Sequence, residues 1–330
     1  MFQIPPRRGD GLPGPAGRRS RASMVRRGAA LGVAGAACLS AAACGGGKAN
    51  PLSSSAPAKP AAKGSVVVGS ANFPEDELLA EIYTQALQAK GVKVTAKFNI
   101  GTREVYYPEV VKGAITIIPE YNGELLETSV DPGSTAASTA QVDAALKAKL
   151  PASVAVLDPS PAQDKDSVTV TAATASKDHL TSIGDLRPYA KNMVFGGPPE
   201  FRTRANGLPG LRKDYGLTFK AFDPLDESGP VTFAALKSGK VQAADVFTTS
   251  PQIQTDHLVP LADPKNDFAA ENVIPLVYKK DVTPAIEATL NAISAKLTTA
   301  ALVEMNKETG INHEDYSTVA KQWLTKEGLG

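Results

Sequence analysis

The chain is poor in the residues that build catalytic and metal centres. Its 330 residues hold three histidines, at 179, 257 and 313, and two cysteines, Cys38 and Cys44. The histidines are scattered, and the one nearest the cysteines is His179, so neither spacing nor ligand count suits zinc. A disulfide between Cys38 and Cys44 would staple nothing, because only small residues and one leucine lie between them. GxSxG, P-loop and HExxH patterns are all missing, which removes the motif grounds for a hydrolase, a nucleotidase or a metalloprotease. The scattered glycines from Gly207 to Gly216 do not follow a strand, so they fail the context test for a dinucleotide site. His313-Glu314-Asp315 sits in a polar stretch and reads as a solvated turn. No cofactor is implied. The longest uncharged run at the start, Gly28 to Ala43, is 16 residues of mostly Ala and Gly, short of the ~20 strongly apolar residues of a spanning helix.

That run has a use all the same. Met24-Val25-Arg26-Arg27 is a short basic start, Gly28 to Ala43 a mildly apolar stretch, and Ala41-Ala42-Ala43-Cys44 places small residues before a cysteine. This is the order of a secretory signal, and a cysteine at that place resembles a bacterial lipobox, in which Cys44 takes the lipid. Plain secretion with an incidental cysteine is the competing reading. Residues 1–23 add nothing to the signal and fit an over-long start, with translation beginning at Met24. Seven Arg and one Asp leave with residues 1–43, so 28 basic face 33 acidic residues and the net charge moves from +1 to −5. No basic tract remains, which argues against nucleic acid as a partner. Residues 44–64, rich in Gly, Ser, Ala, Pro and Lys, have almost nothing to bury and read as a flexible tether. The expected location is the extracytoplasmic face of a cell membrane, lipid-anchored.

From residue 65 onward, short β-branched runs alternate with amphipathic stretches. Ser65–Gly69 reads as a buried strand, and Glu75–Lys90 as a helix with Leu78, Leu79, Ile82, Tyr83 and Leu87 on one face. Val92–Ile100 is expected as a second strand, Glu104–Lys112 as a helix and Ile115–Ile118 as a third strand. This spacing predicts an α/β fold with mainly parallel, doubly wound sheets, which take ligands at the carboxyl ends of their strands. A second α/β unit runs from Ser167 to about Leu261, and Val273–Val277 leads into the closing helices.

Five segments then point to a family. VGSANFPEDELLAEIYTQAL (68–87), FNIGTREVYYPEVVKGAITIIPEYNGELL (98–126), GGPPEFRTRANGLPGLRKDYGL (196–217), FAALKSGKVQAADVFTTSPQI (233–253) and LTTAALVEMNKETGINHEDYSTVAKQWL (297–324) together resemble the glycine betaine/choline-binding proteins of osmoprotectant ABC importers. The resemblance implies a two-lobed, type II periplasmic-binding-protein-like fold with two hinge crossovers. One lobe is expected from 65–166 and 273–330, and the other from 167–272. It also implies a small-molecule ligand, a quaternary amine or related solute, and ABC permease subunits as partners. An adhesion or structural lipoprotein would explain the anchor but not these motifs.

A quaternary ammonium has no hydrogen to donate and is held by aromatic faces, whereas a carboxylate calls for Arg or backbone N–H groups. On the resemblance, Tyr121 of the PEYNG stretch is the cage tyrosine, placed just past a strand end, with Asn122 beside it. Phe73 and Asp76 flank a helix start, Arg103 faces ligand or a partner carboxylate, and Arg204 is the carboxylate clamp meeting Tyr121 across the cleft. Phe247 and Thr248 come from the second lobe. Each residue has a plainer alternative: a packed tyrosine, ordinary helix-start chemistry, a solvated arginine. Asp166-Ser167-Val168 lacks the aromatic that several relatives carry, and Arg202 stands where relatives often have one. The cage is therefore expected to be incomplete, with a cation nearby and Tyr106 or Tyr107 free to stack, which leaves a different polar or aromatic solute open.

Overall fold

In the computed structural model, residues 65–330 are described; the expected signal, Cys44 and the expected tether lie outside the described residues. The chain runs β1 (Ser65–Gly69), α1 (Pro74–Ala89), β2 (Lys93–Lys97), α2 (Arg103–Val111), β3 (Ile117–Tyr121), α3 (Asn122–Leu125), α4 (Thr139–Lys149) and β4 (Val154–Val156). It continues with β5 (Val168–Thr171), α5 (Ala172–Asp178), β6 (Val194–Gly197), α6 (Leu208–Tyr215), β7 (Ala221–Pro224), α7 (Pro230–Lys237), β8 (Ala243–Asp245), α8 (Gln252–Thr255) and β9 (Leu258–Pro260). Then come β10 (Val273–Tyr278), α9 (Pro284–Lys296), α10 (Thr299–Gly310) and α11 (Tyr316–Glu327).

These strands form two five-stranded sheets, ordered β2-β1-β3-β10-β4 and β7-β6-β8-β5-β9. In the first sheet β1 is parallel to β2 and β3, while β10 runs antiparallel to both β3 and β4. In the second, β6 is parallel to β7 and β8, while β5 is antiparallel to β8 and β9. The one reversed strand of each sheet is the strand that the chain enters on crossing from the other sheet. Short hairpin returns are impossible between parallel neighbours, so helices cover both faces and two-sided burial follows.

β1 shows that burial directly, with Val66 to Val68 at most 3% exposed. On one face of the first sheet α1 packs with the closing helices, joining Leu78, Leu79, Ile82, Tyr83 and Leu87 to Leu290, Ile293, Leu302 and Trp323. On the other face Tyr106, Val110, Leu125, Leu126, Val142 and Leu146 form a second core. The second sheet has its own pair of cores, around Phe195, Phe201, Leu211 and Tyr215 and around Phe233, Leu236 and Val246.

Expected boundaries shift by a few residues, and three of the shifts bear on the site. The second strand stops at Lys97, because Asn99 adopts a left-handed conformation (φ 55°) and turns the chain. The third strand is Ile117–Tyr121, so Tyr121 closes the strand instead of following it. Its pairing partner β10 extends it by holding Tyr121 opposite Val273. The helix expected from Glu104 starts at Arg103.

The two connecting segments, residues 157–167 and 261–272, lie side by side. Gln163 bridges Asn272 antiparallel, and the Asp164 N–H donates to the Glu271 carbonyl at 3.1 Å. Among the described residues no helix is long and apolar enough to cross a membrane.

Candidate functional site

The carboxyl ends of the parallel strands and the amino ends of the reversed strands β5 and β10 face a common cleft, lined by thirteen residues and about 440 Å³ in volume with its solvent-open part included. One wall is aromatic. The Phe73 ring centroid lies 5.9 Å from Tyr121 and 5.2 Å from Phe247, the latter edge-on, so a residue before α1, the end of β3 and a loop after β8 meet. Tyr106 of α2 also lines the cleft. Tyr121 is 5% exposed and its hydroxyl donates to Glu75 Oε1 at 2.6 Å. Glu75 accepts further bonds from Thr249 Oγ1 at 2.6 Å and from Asn306 Nδ2 at 2.5 Å, which pins the aromatic wall to the second sheet and to α10.

The two arginines are engaged by protein carboxylates. Arg103 holds Glu120 in a two-bond fork, Nε to Oε1 at 2.8 Å and Nη2 to Oε2 at 3.0 Å, and reaches Glu124 with Nη1 at 3.0 Å. Arg204 crosses from the second sheet's side to fork Glu104, at 3.1 and 3.3 Å, and touches Glu124 at 3.4 Å. Burial alone would raise the Glu104 carboxyl, but the hydrogen bond and charge of Arg204 outweigh it and hold it down at about 2. Asn206 adds bonds to Glu124 and to Glu127, the latter at 3.1 Å.

Opposing these two cations, five lining residues are acidic: Glu124, Asp164, Asp166, Glu227 and Glu271. Glu124, Asp166 and Glu271 bring oxygens within 4.8 Å of one another. Burial, then the charge of Glu124, pushes the Asp166 carboxyl up to about 8 and raises that of Glu271 well above its ordinary value. Such an acidic, partly dry cleft attracts cations and disfavours anions.

Five of the eight residues expected at the ligand line this cleft: Phe73, Arg103, Tyr121, Arg204 and Phe247. Three do not. Asp76 is 1% exposed and accepts the Ala71 N–H, tying the turn before α1. Asn122 is fully buried, accepting the Asn272 N–H at 2.7 Å and donating to Asp143, so it locks α3 to the second connection. Thr248 is exposed and exchanges bonds with Lys165 N–H and Asp164 on the first connection. Arg202, expected as a nearby cation, instead lies on the outer surface over Phe222 at 5.0 Å. Tyr107 is half-buried against the core beside α2 and does not line the cleft, so Tyr106 alone of that pair reaches it.

The acidic lining was missed. Asp166 and Glu271 each stand two residues before a crossing strand, β5 and β10, and that repeated placement was a readable signal. Gly123 also serves the site, since a Cβ there would lie 2.6 Å from the Ala270 carbonyl oxygen, and its absence lets the Glu271 segment close on α3.

A family model described as the substrate binding domain of an ABC-type glycine betaine transport system matches residues 64–326. The chain belongs to this family. Members similar to it include the glycine betaine-binding protein YehZ of Escherichia coli K12, 27% identical over 291 residues that cover 84% of this chain and 93% of that protein. An ergothioneine transport permease/ergothioneine binding protein, EgtU of Helicobacter pylori G27, is 24% identical and matched over 80% of this chain and 48% of its own length. Among solved structures, a glycine betaine/carnitine/choline ABC transporter protein superposes with a TM-score of 0.63 at 20% identity, covering 80% of this chain and 99% of that one. At that identity the likeness speaks for the fold, two mixed α/β sheets forming two lobes.

Proposed function

We propose that this protein is the extracytoplasmic receptor of an ABC importer, taking a small organic cation of the glycine betaine and choline class between its lobes and passing it to permease subunits in the membrane. The observation that carries this is the cleft itself: an aromatic wall of Phe73, Tyr121 and Phe247 facing a surplus of carboxylates. Aromatic faces attract a cation that water no longer screens, and the acidic lining adds long-range attraction. Phe73 and Tyr121 come from the first sheet and Phe247 from the second, so a bound cation links the lobes. The lobes are read as 65–166 with 273–330, and 167–272, hinged at the two connections, and Cys44 as the lipid anchor. A ligand carboxylate would have to take Arg204 from Glu104, its more exposed partner at 48% against 6% for Glu124.

Thermal melts with millimolar choline and glycine betaine test this, since a ligand at 100 times its Kd adds ~2.7 kcal/mol of stability. A rise in Tm, with the solute recovered chemically unchanged, is the expected result. No shift with either, or conversion of the solute, would overturn it.

A further inference from the structure

The cleft holds more carboxylate than an aromatic cage needs. Glu124, Asp166 and Glu271 line it, and behind that lining Asp245 at the end of β8 lies against Asp166, is 1% exposed, and has no hydrogen-bond partner on either oxygen. Glu271, 2% exposed and on the cleft wall, also has an unpartnered Oε1. Glu124 differs, being served by Arg103, Arg204 and Asn206. When ionised, these buried acceptors lack donors and repel one another, so they keep their protons until something enters with positive charge and donors of its own. These residues come from α3, β8 and both connections, so the deficit is assembled only where the lobes meet.

A fully methylated ammonium supplies the charge but no donor. A divalent metal would suit the oxygens, but the Arg103 and Arg204 guanidinium groups already sit on Glu124 and oppose a second strong cation there. An ammonium that keeps an N–H supplies both needs with a single charge. Resting on the reading of the cleft given above, we infer that the solute carries a partly methylated or unmethylated ammonium, its carbon groups against Phe73, Tyr121 and Phe247 and its N–H directed to Asp166 and Glu271, with Asp245 behind Asp166.

Calorimetric titration at neutral pH decides it, using full-length protein stripped of co-purified solute by unfolding and refolding. The probes are two matched pairs: choline with 2-(dimethylamino)ethanol, and glycine betaine with N,N-dimethylglycine. Each N–H-bearing member is expected to bind about tenfold or more tightly than its fully methylated partner, the scale of a hydrogen bond to a charged group. Glu271→Gln and Asp245→Asn, checked by melting for intact folding, are expected to reduce that preference to under about threefold, weakening each N–H-bearing member more than its quaternary partner. If either variant fails to fold, the wild-type comparison of pairs still gives the answer. Equal or tighter binding of the quaternary members overturns this inference and leaves the receptor reading standing. A thermal shift with calcium or magnesium chloride alone, lost in Glu271→Gln, overturns it in favour of a metal site. Binding of none of the four probes at millimolar concentration removes the cation reading of the cleft and this inference together.

Discussion

Phe247 and Tyr121 stand on the same wall but do different work. Phe247 is half-buried and lines the cleft, so Phe247→Ala removes the proposed cation contact, and organic-cation binding is expected to weaken by ~0.5–2 kcal/mol. Tyr121→Phe keeps the ring and deletes only the hydroxyl that donates to Glu75. Glu75 retains Thr249 and Asn306, so a stability loss of ~1–2 kcal/mol in denaturant melts is expected with binding nearly unchanged. Equal binding losses in both variants would show that the ring is not the contact. The acidic groups make a further forecast. Burial, followed by the charge of Glu124, lifts both Glu127 and Asp166 to about 8. A carboxyl whose folded pKa is raised holds its proton longer than the unfolded chain does. Between about pH 4 and pH 8 the native state therefore binds more protons, and stability falls as pH rises. Solute-free protein should melt lower at pH 8.5 than at pH 6, and Asp166→Asn should flatten that slope. Cation binding should run the opposite way and tighten with rising pH, because a cation prefers the ionised carboxylates.

At the scale of elements, the contact between α3 and the second connection sets the site. Asn122 and Asn272 exchange bonds, Asn122 N–H to the Asn272 carbonyl at 3.0 Å and Asn272 N–H to Oδ1 of Asn122 at 2.7 Å, and Gly123 allows the close approach beside them. Gly123→Ala drives a methyl into the Ala270 carbonyl and is expected to cost ~1–3 kcal/mol while displacing Glu271 and weakening solute binding. Leu290→Ala supplies the comparison. Leu290 is fully buried on α9 among α1 and the closing helices and does not line the cleft, so ~2–5 kcal/mol of stability should go with little change in affinity. A Gly123→Ala protein that binds as well as wild type would show that the α3 contact does not position the acidic lining.

At the scale of the whole molecule, bonds that span the cleft belong to a few side chains, among them Arg204 to Glu104 and Glu124, Asn206 to Glu124 and Glu127, and Thr249 to Glu75 and Asn306. Such few, polar contacts part readily, while each lobe keeps its own cores, so opening should bend the two connections and little else. Small-angle scattering should show a smaller radius of gyration with solute than without, and Arg204→Ala should enlarge the solute-free radius by loosening the span. An unchanged radius in both comparisons would count against hinging. The proposed anchor makes its own forecast: Cys44→Ala should release the protein into the medium or leave it as unprocessed precursor, as fractionation and mass measurement would show.

What the sequence determined is what depends on local pattern. The β-branched runs and the 3.6-residue periodicity of α1 placed most elements of the first sheet, because two-sided burial leaves a continuous apolar run and helix amphipathicity a stripe. Five motifs in order carried the family, and Phe73, Arg103, Tyr121, Arg204 and Phe247 reach the cleft as expected. What only the tertiary structure decided is partnership. Whether Asp76, Asn122 and Thr248 face ligand or brace backbone depends on neighbours up to 150 residues away, and nothing local encodes that. The same holds for the arginines, whose charge is answered by Glu104, Glu120 and Glu124, and for the acidic lining, which exists only because two connections distant in sequence run side by side. Electrostatic character is a sum over space, so a cleft whose residues read singly as clamp and cage became, once folded, a site with carboxylates to spare.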